Sequence, residues 1–259
     1  MEPLLNIAVT AARQAGDIII RHSEQLDRIK VTQKAKNDYF SEVDIKAEQS
    51  IIRTIHKAYP NHGIIAEESG VQNPDAECVW YIDPLDGTSN YLHGFPAYCV
   101  SIAMMFNNKL EHAVIYDPTR HECFSASRGR GARLNDRRIR VSKKAELQTA
   151  ILGSGPSVQN PTRAEAYDLN IKPLLEQCTT VRRMGAAALE LAYVACGRLD
   201  GFFEFNLRPW DVAAGCLLIQ EAGGFVSDPK GGQNFVKQGS VIAGTPKVFD
   251  QMHAALNIK

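Results

Sequence analysis

Two short apolar runs in this chain end directly in carboxylates, and that pairing constrains the fold more than any other feature. Ile64 to Ala66 leads into Glu67-Glu68-Ser69-Gly70, and Cys78-Val79-Trp80-Tyr81-Ile82 leads into Asp83-Pro84-Leu85-Asp86-Gly87-Thr88. Short apolar runs bounded by turn residues read as buried strands, so both acidic clusters are expected at strand ends, where a loop or helix begins. Pro84 restricts the backbone just after Asp83, and Gly87 permits a tight turn whose amides can approach an anion. Upstream, Leu5, Ala8, Ala12, Ala15 and Ile19 recur at helical spacing and predict a long helix over 4–26. Val43, Ala47, Ile51, Ile52 and Ile55 predict a second over about 42–59, stopped by Pro60-Asn61-His62-Gly63. The polar segment 33–41 interrupts the two.

Beyond the acidic cluster, 97–105, 110–116 and 122–126 read as strands of an antiparallel meander, joined by Asn107-Asn108-Lys109 and Asp117-Pro118-Thr119-Arg120. An amphipathic helix is expected over 161–178, a short strand or turn over 181–184, and an Ala/Leu-rich buried helix over 185–196. A strand at 201–205 precedes a helix that starts at Pro209 and is stopped by Gly223-Gly224. Strands at 225–227 and 240–243 and a helix over 246–256 close an alternating α/β pattern. No long linker, tandem repeat or low-complexity segment divides the 259 residues.

Charge excludes some classes of function. The 29 basic and 29 acidic residues cancel, which argues against strong long-range attraction to nucleic acid or an anionic membrane. The stretch 128–144 is locally basic, with Arg128, Arg130, Arg133, Arg137, Arg138, Arg140, Lys143 and Lys144. Lacking interleaved aromatics, it gives no strong direct nucleic-acid signal and reads first as a turn and edge-strand surface, second as a face for a phosphate-rich ligand or a macromolecular partner. The six cysteines are widely spaced without a CxxC pair and read as free thiols. No run approaches 18 apolar residues, and Met1-Glu2-Pro3-Leu4-Leu5 carries no basic segment followed by an apolar one, so the expected location is cytoplasmic, with no membrane partner.

Glu67, Asp83, Asp86 and Asp211 are the acids expected where buried strands or helices begin or end. Hard divalent cations favour such oxygen ligands, and a cation there could orient phosphate and activate water. The segment Asp83-Pro84-Leu85-Asp86-Gly87-Thr88-Ser89-Asn90, with Glu67-Glu68-Ser69 and Trp210-Asp211-Val212-Ala213-Ala214-Gly215, resembles the inositol monophosphatase family of metal-dependent phosphomonoesterases. The likeness extends to Asn37-Asp38, Asp44, Gly185-Ala186-Ala187-Ala188 and Glu221-Ala222-Gly223-Gly224, almost the whole chain.

That resemblance implies an α/β (α+β) chain with the layered αβαβα sugar-phosphatase fold. It implies a single domain over 1–259 with intimately packed halves of about 1–150 and 151–259, assembled as a homodimer. It also implies site roles. Glu67, Asp83, Asp86, Asp211 and the Leu85 carbonyl would bind Mg²⁺, while Glu67 and Thr88 would place the nucleophilic water. The Gly87 and Thr88 amides would hold phosphate, and Asp86, Ala187, Glu204 and Asp211 would meet the substrate's hydroxyls. Asp44, as support for a weakly held ion, Lys36 near the entrance and Arg183 on a dimer or partner surface would be auxiliary. Ser89 replaces the family's common second threonine, and Ala186 a residue that often bears a hydroxyl; neither change removes a metal ligand.

The implied reaction is lithium-sensitive, Mg²⁺-dependent hydrolysis of inositol 1-phosphate and related phosphate monoesters to free alcohol and phosphate by metal-activated water. Alternatives are a relative specific for fructose 1,6-bisphosphate, a nucleotide phosphate or histidinol phosphate. Another alternative follows from a bacterial branch of the family, which implies association with RNA polymerase or transcription antitermination factors during ribosomal RNA biogenesis.

Overall fold

The computed structural model describes residues 2–26, 29, 31–35, 38–155 and 172–256. Helix α1 spans Pro3–Ser23 and buries Leu5, Ala8, Ala12, Ala15 and Ile19, the stripe expected from its periodicity. Helix α2, Glu42–Ala58, starts with a capping box: the Ser41 hydroxyl accepts from the Val43 amide at 3.1 Å, and Asp44 Oδ2 accepts from the Ser41 amide at 2.8 Å. Between the helices, the polar segment forms a hairpin, β1 Val31–Ala35 with β2 Asp38–Ser41. Backbone ladder bonds carry this pairing, so the side chains gave no alternating apolar signal for it.

The larger sheet contains β3 Gly63–Ala66, β4 Gly70–Gln72, β5 Cys78–Asp86, β6 Cys99–Phe106, β7 Lys109–Asp117, β8 Glu122–Ser127, β9 Gly131–Leu134 and β10 Arg137–Arg138. Its order is β10-β9-β8-β7-β6-β5-β3-β4. The expected meander is present, with β5 to β10 antiparallel throughout, and β3 runs parallel to β5. The basic stretch supplies the edge, where Arg138 lies opposite Arg133. A second sheet contains β11 Ile151–Ser154, β12 Thr180–Arg182, β13 Gly201–Glu204, β14 Phe225–Ser227 and β15 Val241–Gly244, in the order β12-β11-β13-β15-β14.

Alternating side chains commit the two faces of each sheet to different neighbours. On β7, Val114 and Tyr116 join a core with Ile19, Ile51 and Ile55 of the first two helices, whereas Ala113 and Ile115 face the opposite core. That second core holds helices α4, Ala187–Ala195, and α5, Pro209–Glu221, between the sheets, with Phe202 and Val241 closing it from the far side. Every residue of α4 is buried, as is 212–219 of α5, which is the burial expected of helices that are apolar all round. A third core sets Phe203 and Ile242 of the second sheet against Leu174 and against Val248 and Met252 of α7, Pro246–Leu256. Two short helices, α3 Thr88–Leu92 and α6 Phe235–Gln238, complete the elements used below. The result is a mixed α/β fold in which helix and sheet layers alternate as αβαβα.

Contacts between the first and second halves of the chain run largely through α5, which packs on β5 to β9 as well as on β14 and β15, with α4 adding contacts to β5, β6 and β7. At its end, the Gly129 and Gly131 amides each donate to the Glu221 carboxylate at 2.7 Å. Of the helix expected over 161–178, residues 161–171 lie outside the described residues, and 172–177 is helical. The six cysteines are free. Among the described residues no helix is long and apolar enough to cross a membrane.

Candidate active site

Strand β5 does not stop at Ile82 but carries the acidic cluster itself to Asp86. Pro84 has no amide to give to the ladder, and the pairing with β6 jumps there from Asp83↔Ser101 to Asp86↔Cys99, a bulge. The freed Leu85 amide donates instead to Asp83 Oδ1 at 2.9 Å. The chain then turns at Gly87, whose φ of 91° is left-handed and where a side-chain carbon would stand 2.8 Å from the Ala97 carbonyl. Only glycine meets both conditions without strain.

Each remaining site residue is held by a neighbouring element. Thr88 Oγ1 lies 3.0 Å from both Asp44 Oδ1 and the Leu85 carbonyl, which links α3 to the start of α2. The Ala188 amide of α4 donates to Asp86 Oδ2 at 2.8 Å. Asp211, in the first turn of α5, accepts from the Arg208 amide at 2.7 Å. Glu67 leaves β3 in a turn gripped by the buried Glu48, whose two oxygens accept the Glu68 and Ser69 amides at 2.8 and 2.7 Å.

These elements enclose a cavity of about 220 Å³. Glu67, Asp83, Leu85, Asp86 and Asp211 line it, as do Gly87 and Thr88. Ala187 and Glu204 complete the residues expected there, and Arg183, expected on a dimer or partner surface, also lies on this wall. Asp44 stands behind Thr88, and Lys36 lies outside the described residues. Sequence reasoning missed two acids. Glu48 sat unremarked on an amphipathic helix. Glu190 is also on the cavity wall, 1% exposed, and its signal was a single carboxylate in the otherwise apolar Ala187-Ala188-Leu189-Glu190-Leu191-Ala192.

Burial and mutual repulsion push these acids toward their neutral forms. Asp83 is raised well above the ordinary carboxylate range by burial, then by Glu67, Asp86 and Asp211. Burial lifts Asp86 to about 7, with the Ala188 amide opposing the shift and Glu67 adding to it. Burial and then Asp86 lift Asp211 to about 7. Glu204 is raised by burial and then by Glu190, with Arg183 acting in the opposite sense.

Among the described residues no three His, Cys, Asp or Glu side chains stand close enough together to form a ready-made metal-binding group. The chemistry of the donors nevertheless fits a hard divalent cation: four carboxylates and a backbone carbonyl, all oxygen, on one small cavity. Positive charge placed there would relieve the repulsion that raises Asp83.

The layered fold and its carboxylate cleft are those expected from the sequence resemblance to a family of phosphatase-type hydrolases, and the comparison with known families agrees. The model described as the inositol monophosphatase family matches residues 1–257, and the chain belongs to that family. Within it, the chain is similar to bacterial SuhB proteins. Nus factor SuhB of Pseudomonas aeruginosa is 51% identical over 254 residues, 96% of this chain and 94% of the relative. The crystal structure of extragenic suppressor protein SuhB from Bartonella henselae matches with a TM-score of 0.94 at 40% identity, covering 98% of each chain. Inositol monophosphatase from Anabaena (Nostoc) matches with a TM-score of 0.86 at 37% identity, covering 98% of this chain and 95% of that one.

Proposed function

We propose that this protein acts in transcription as a SuhB-type Nus factor and that its cleft hydrolyses small phosphate monoesters. The transcriptional role has the stronger support from the comparisons: the relative at 51% identity carries the name Nus factor SuhB, whereas the inositol monophosphatase structure is 37% identical. In this role the chain, a cytoplasmic homodimer, associates with RNA polymerase or antitermination factors during ribosomal RNA synthesis. Affinity capture with the Asp83→Asn variant tests it. Retention of those partners is expected, and no capture by wild type or variant at any of several ionic strengths overturns the role.

The hydrolytic reading is carried by one observation, the gathering of Glu67, Asp83, Asp86, Asp211, Gly87 and Thr88 on one small cavity. Glu67, Asp83, Asp86, Asp211 and the Leu85 carbonyl would hold Mg²⁺. When bound, the ion supplies charge to the phosphoryl oxygens and lowers the pKa of water beside it. Glu67 and Thr88 orient the attacking water, and Thr88 is itself fixed between Asp44 and the Leu85 carbonyl. The Gly87 and Thr88 amides receive phosphate oxygens. Asp86, Ala187, Glu204 and Asp211 meet the alcohol that departs. Asp83, whose Oδ1 is occupied by the Leu85 amide, shapes the bulge that presents the cluster.

The cavity, about 220 Å³, lies below the roughly 300–1,000 Å³ usual for drug-sized ligands. Its size supports inositol 1-phosphate or a related polyol phosphate over a nucleotide. Parallel Mg²⁺-dependent turnover of inositol 1-phosphate, fructose 1,6-bisphosphate, 3'-phosphoadenosine 5'-phosphate and histidinol phosphate tests this, with inhibition by Li⁺ expected. Faster turnover of any of the last three overturns the substrate assignment, and no phosphate release from any of the four overturns the hydrolytic reading.

A further inference from the structure

Strand β6 lies beside the acidic cluster, and two of its side chains reach the groups that carry it. In the ladder with β5, Ser101 stands opposite Asp83 and Cys99 opposite Asp86. Two residues apart on one strand, Cys99 and Ser101 share a face, the one turned toward α4 and α5, where Cys99 joins the central core. Val100 and Ile102 point the other way, into the core formed with α1 and α2. Cys99 and Ser101 are both fully buried.

The Cys99 thiol donates to Asp86 Oδ2 at 3.7 Å, and the Ala188 amide donates to the same oxygen at 2.8 Å. The Leu189 amide also bonds this carboxylate. Asp86 is thus held from α4 by main-chain amides and from β6 by a side chain, and donors on two sides fix the plane of its carboxylate. A thiol is a weak donor, but in a dry interior such a bond is stronger than it would be in water. The Ser101 hydroxyl donates to the Trp210 carbonyl at 3.0 Å. Trp210 lies in the first turn of α5, next in sequence to Asp211. Through that bond β6 anchors the turn that carries Asp211.

We propose that Cys99 and Ser101 are positioning residues: one short segment of β6 fixes Asp86 relative to Asp211, and that fixed spacing favours a small, rigidly coordinated cation over a large one. The inference rests on the hydrolytic reading of the cleft, in which Asp86 and Asp211 hold Mg²⁺, and adds how the cleft selects that ion. Mg²⁺ demands near-octahedral geometry with oxygens at about 2.0–2.1 Å, whereas Ca²⁺ accepts oxygens at about 2.3–2.6 Å in flexible arrangements. Ligands free to swing therefore serve Ca²⁺ nearly as well as fixed ones do, but serve Mg²⁺ poorly. Groups that orient a metal's ligands act on affinity without touching the metal, and neither Cys99 nor Ser101 lines the cavity.

Calorimetric titration of the protein with Mg²⁺ and, separately, with Ca²⁺ tests this. Cys99→Ala, Cys99→Val and Ser101→Ala are each expected to weaken Mg²⁺ binding about ten-fold, the low end of the range for groups behind a metal's ligands. Ca²⁺ binding should weaken by less than about three-fold, because the larger ion tolerates looser ligands. Alanine leaves a gap at Cys99 and valine overfills it, so a loss common to both belongs to the missing donor. Wild-type Mg²⁺ affinity in Cys99→Val or in Ser101→Ala, or equal losses for the two ions, overturns the proposal. The infrared S–H stretch supplies a measurement without metal. The Cys99 band, identified by its disappearance in either Cys99 variant, should lie at lower frequency than that of Cys216, a buried thiol with no hydrogen-bond partner among the described residues. Coincident bands would remove the bond to Asp86 and overturn the proposal. A wild-type protein that prefers Mg²⁺ as expected, with the variants losing that preference, but releases no phosphate from any substrate would overturn the hydrolytic reading alone.

Discussion

A carboxylate buried beside other carboxylates stays ionised only if positive charge compensates it, and Asp83 is in that position. Asp83→Asn removes one of the repelling charges while keeping the shape. We expect Mg²⁺-dependent phosphate release to fall by roughly a hundred-fold or more, with the circular dichroism spectrum unchanged. The variant should match or exceed wild type in melting temperature in EDTA and gain less from added Mg²⁺. Near-normal turnover in a folded variant would remove Asp83 from the mechanism. Glu190 allows a cleaner pH experiment. Its pKa rises from 4.5 to about 8 on folding, so the native state binds the extra proton between those values. The stabilisation from that proton is complete below about 4.5 and lost as pH rises through about 8. Urea denaturation from pH 5 to 8 should show a shallower decline for Glu190→Gln than for wild type, by on the order of a few kcal/mol over the window. Parallel pH profiles would show that Glu190 ionises normally. Neither Glu190 nor its cradle was legible in the sequence. One acid in an Ala/Leu-rich helix does not disclose its depth, and two glycines a strand away become meaningful only when Gly153 meets Glu190 and Gly155 meets Glu204.

Elements present these side chains, and they do so by gripping turns. The Glu67 turn is attached to α2 through Glu48, which makes α2 part of the site although none of its residues lines the cavity. Replacing Glu48 with Ala leaves two amides without their acceptor, at a cost of about 2–3 kcal/mol. Hydrogen exchange at the Glu68 and Ser69 amides should accelerate while the amides of β5 stay protected, and turnover should fall with it. Unchanged exchange at those two amides would mean that the turn is held by other contacts. The acidic segment from Asp83 to Thr88 was legible because its residues are contiguous and bounded by Pro84 and Gly87. The hairpin of β1 and β2 was not, since ladder bonds form with any side chain and its strands carry no apolar alternation.

At the scale of the molecule, α5 is shared between the sheets, buried by the first half of the chain on one side and by the second on the other. The central core is then complete only when both halves are present, and a single cooperative unfolding transition is expected. Coincident urea curves from far-ultraviolet circular dichroism and tryptophan fluorescence check this, Trp80 reporting from β5 and Trp210 from α5. Two separated transitions would instead define two folding units. Helix and strand order was largely readable from periodicity, from α1 through the meander to α7. The order β12-β11-β13-β15-β14 was not, because the non-sequential pairing of the second sheet depends on packing against α4, α5 and α7.

The bulge at Pro84 and Leu85 has a final consequence, which concerns parity. Asp83 and Asp86 are an odd number of positions apart, and in an uninterrupted strand their side chains would emerge on opposite faces. Three steps along β5 are matched by two along β6, from Ser101 to Cys99. That one-residue slip puts the strand out of phase with its neighbour and returns both acids to one cavity. The count of residues between the two aspartates is thus as much a part of the site as the aspartates themselves. Deleting Leu85 would leave the two acids two positions apart, on one face of a regular ladder, but would remove the bulge and with it the Leu85 amide that holds Asp83 Oδ1.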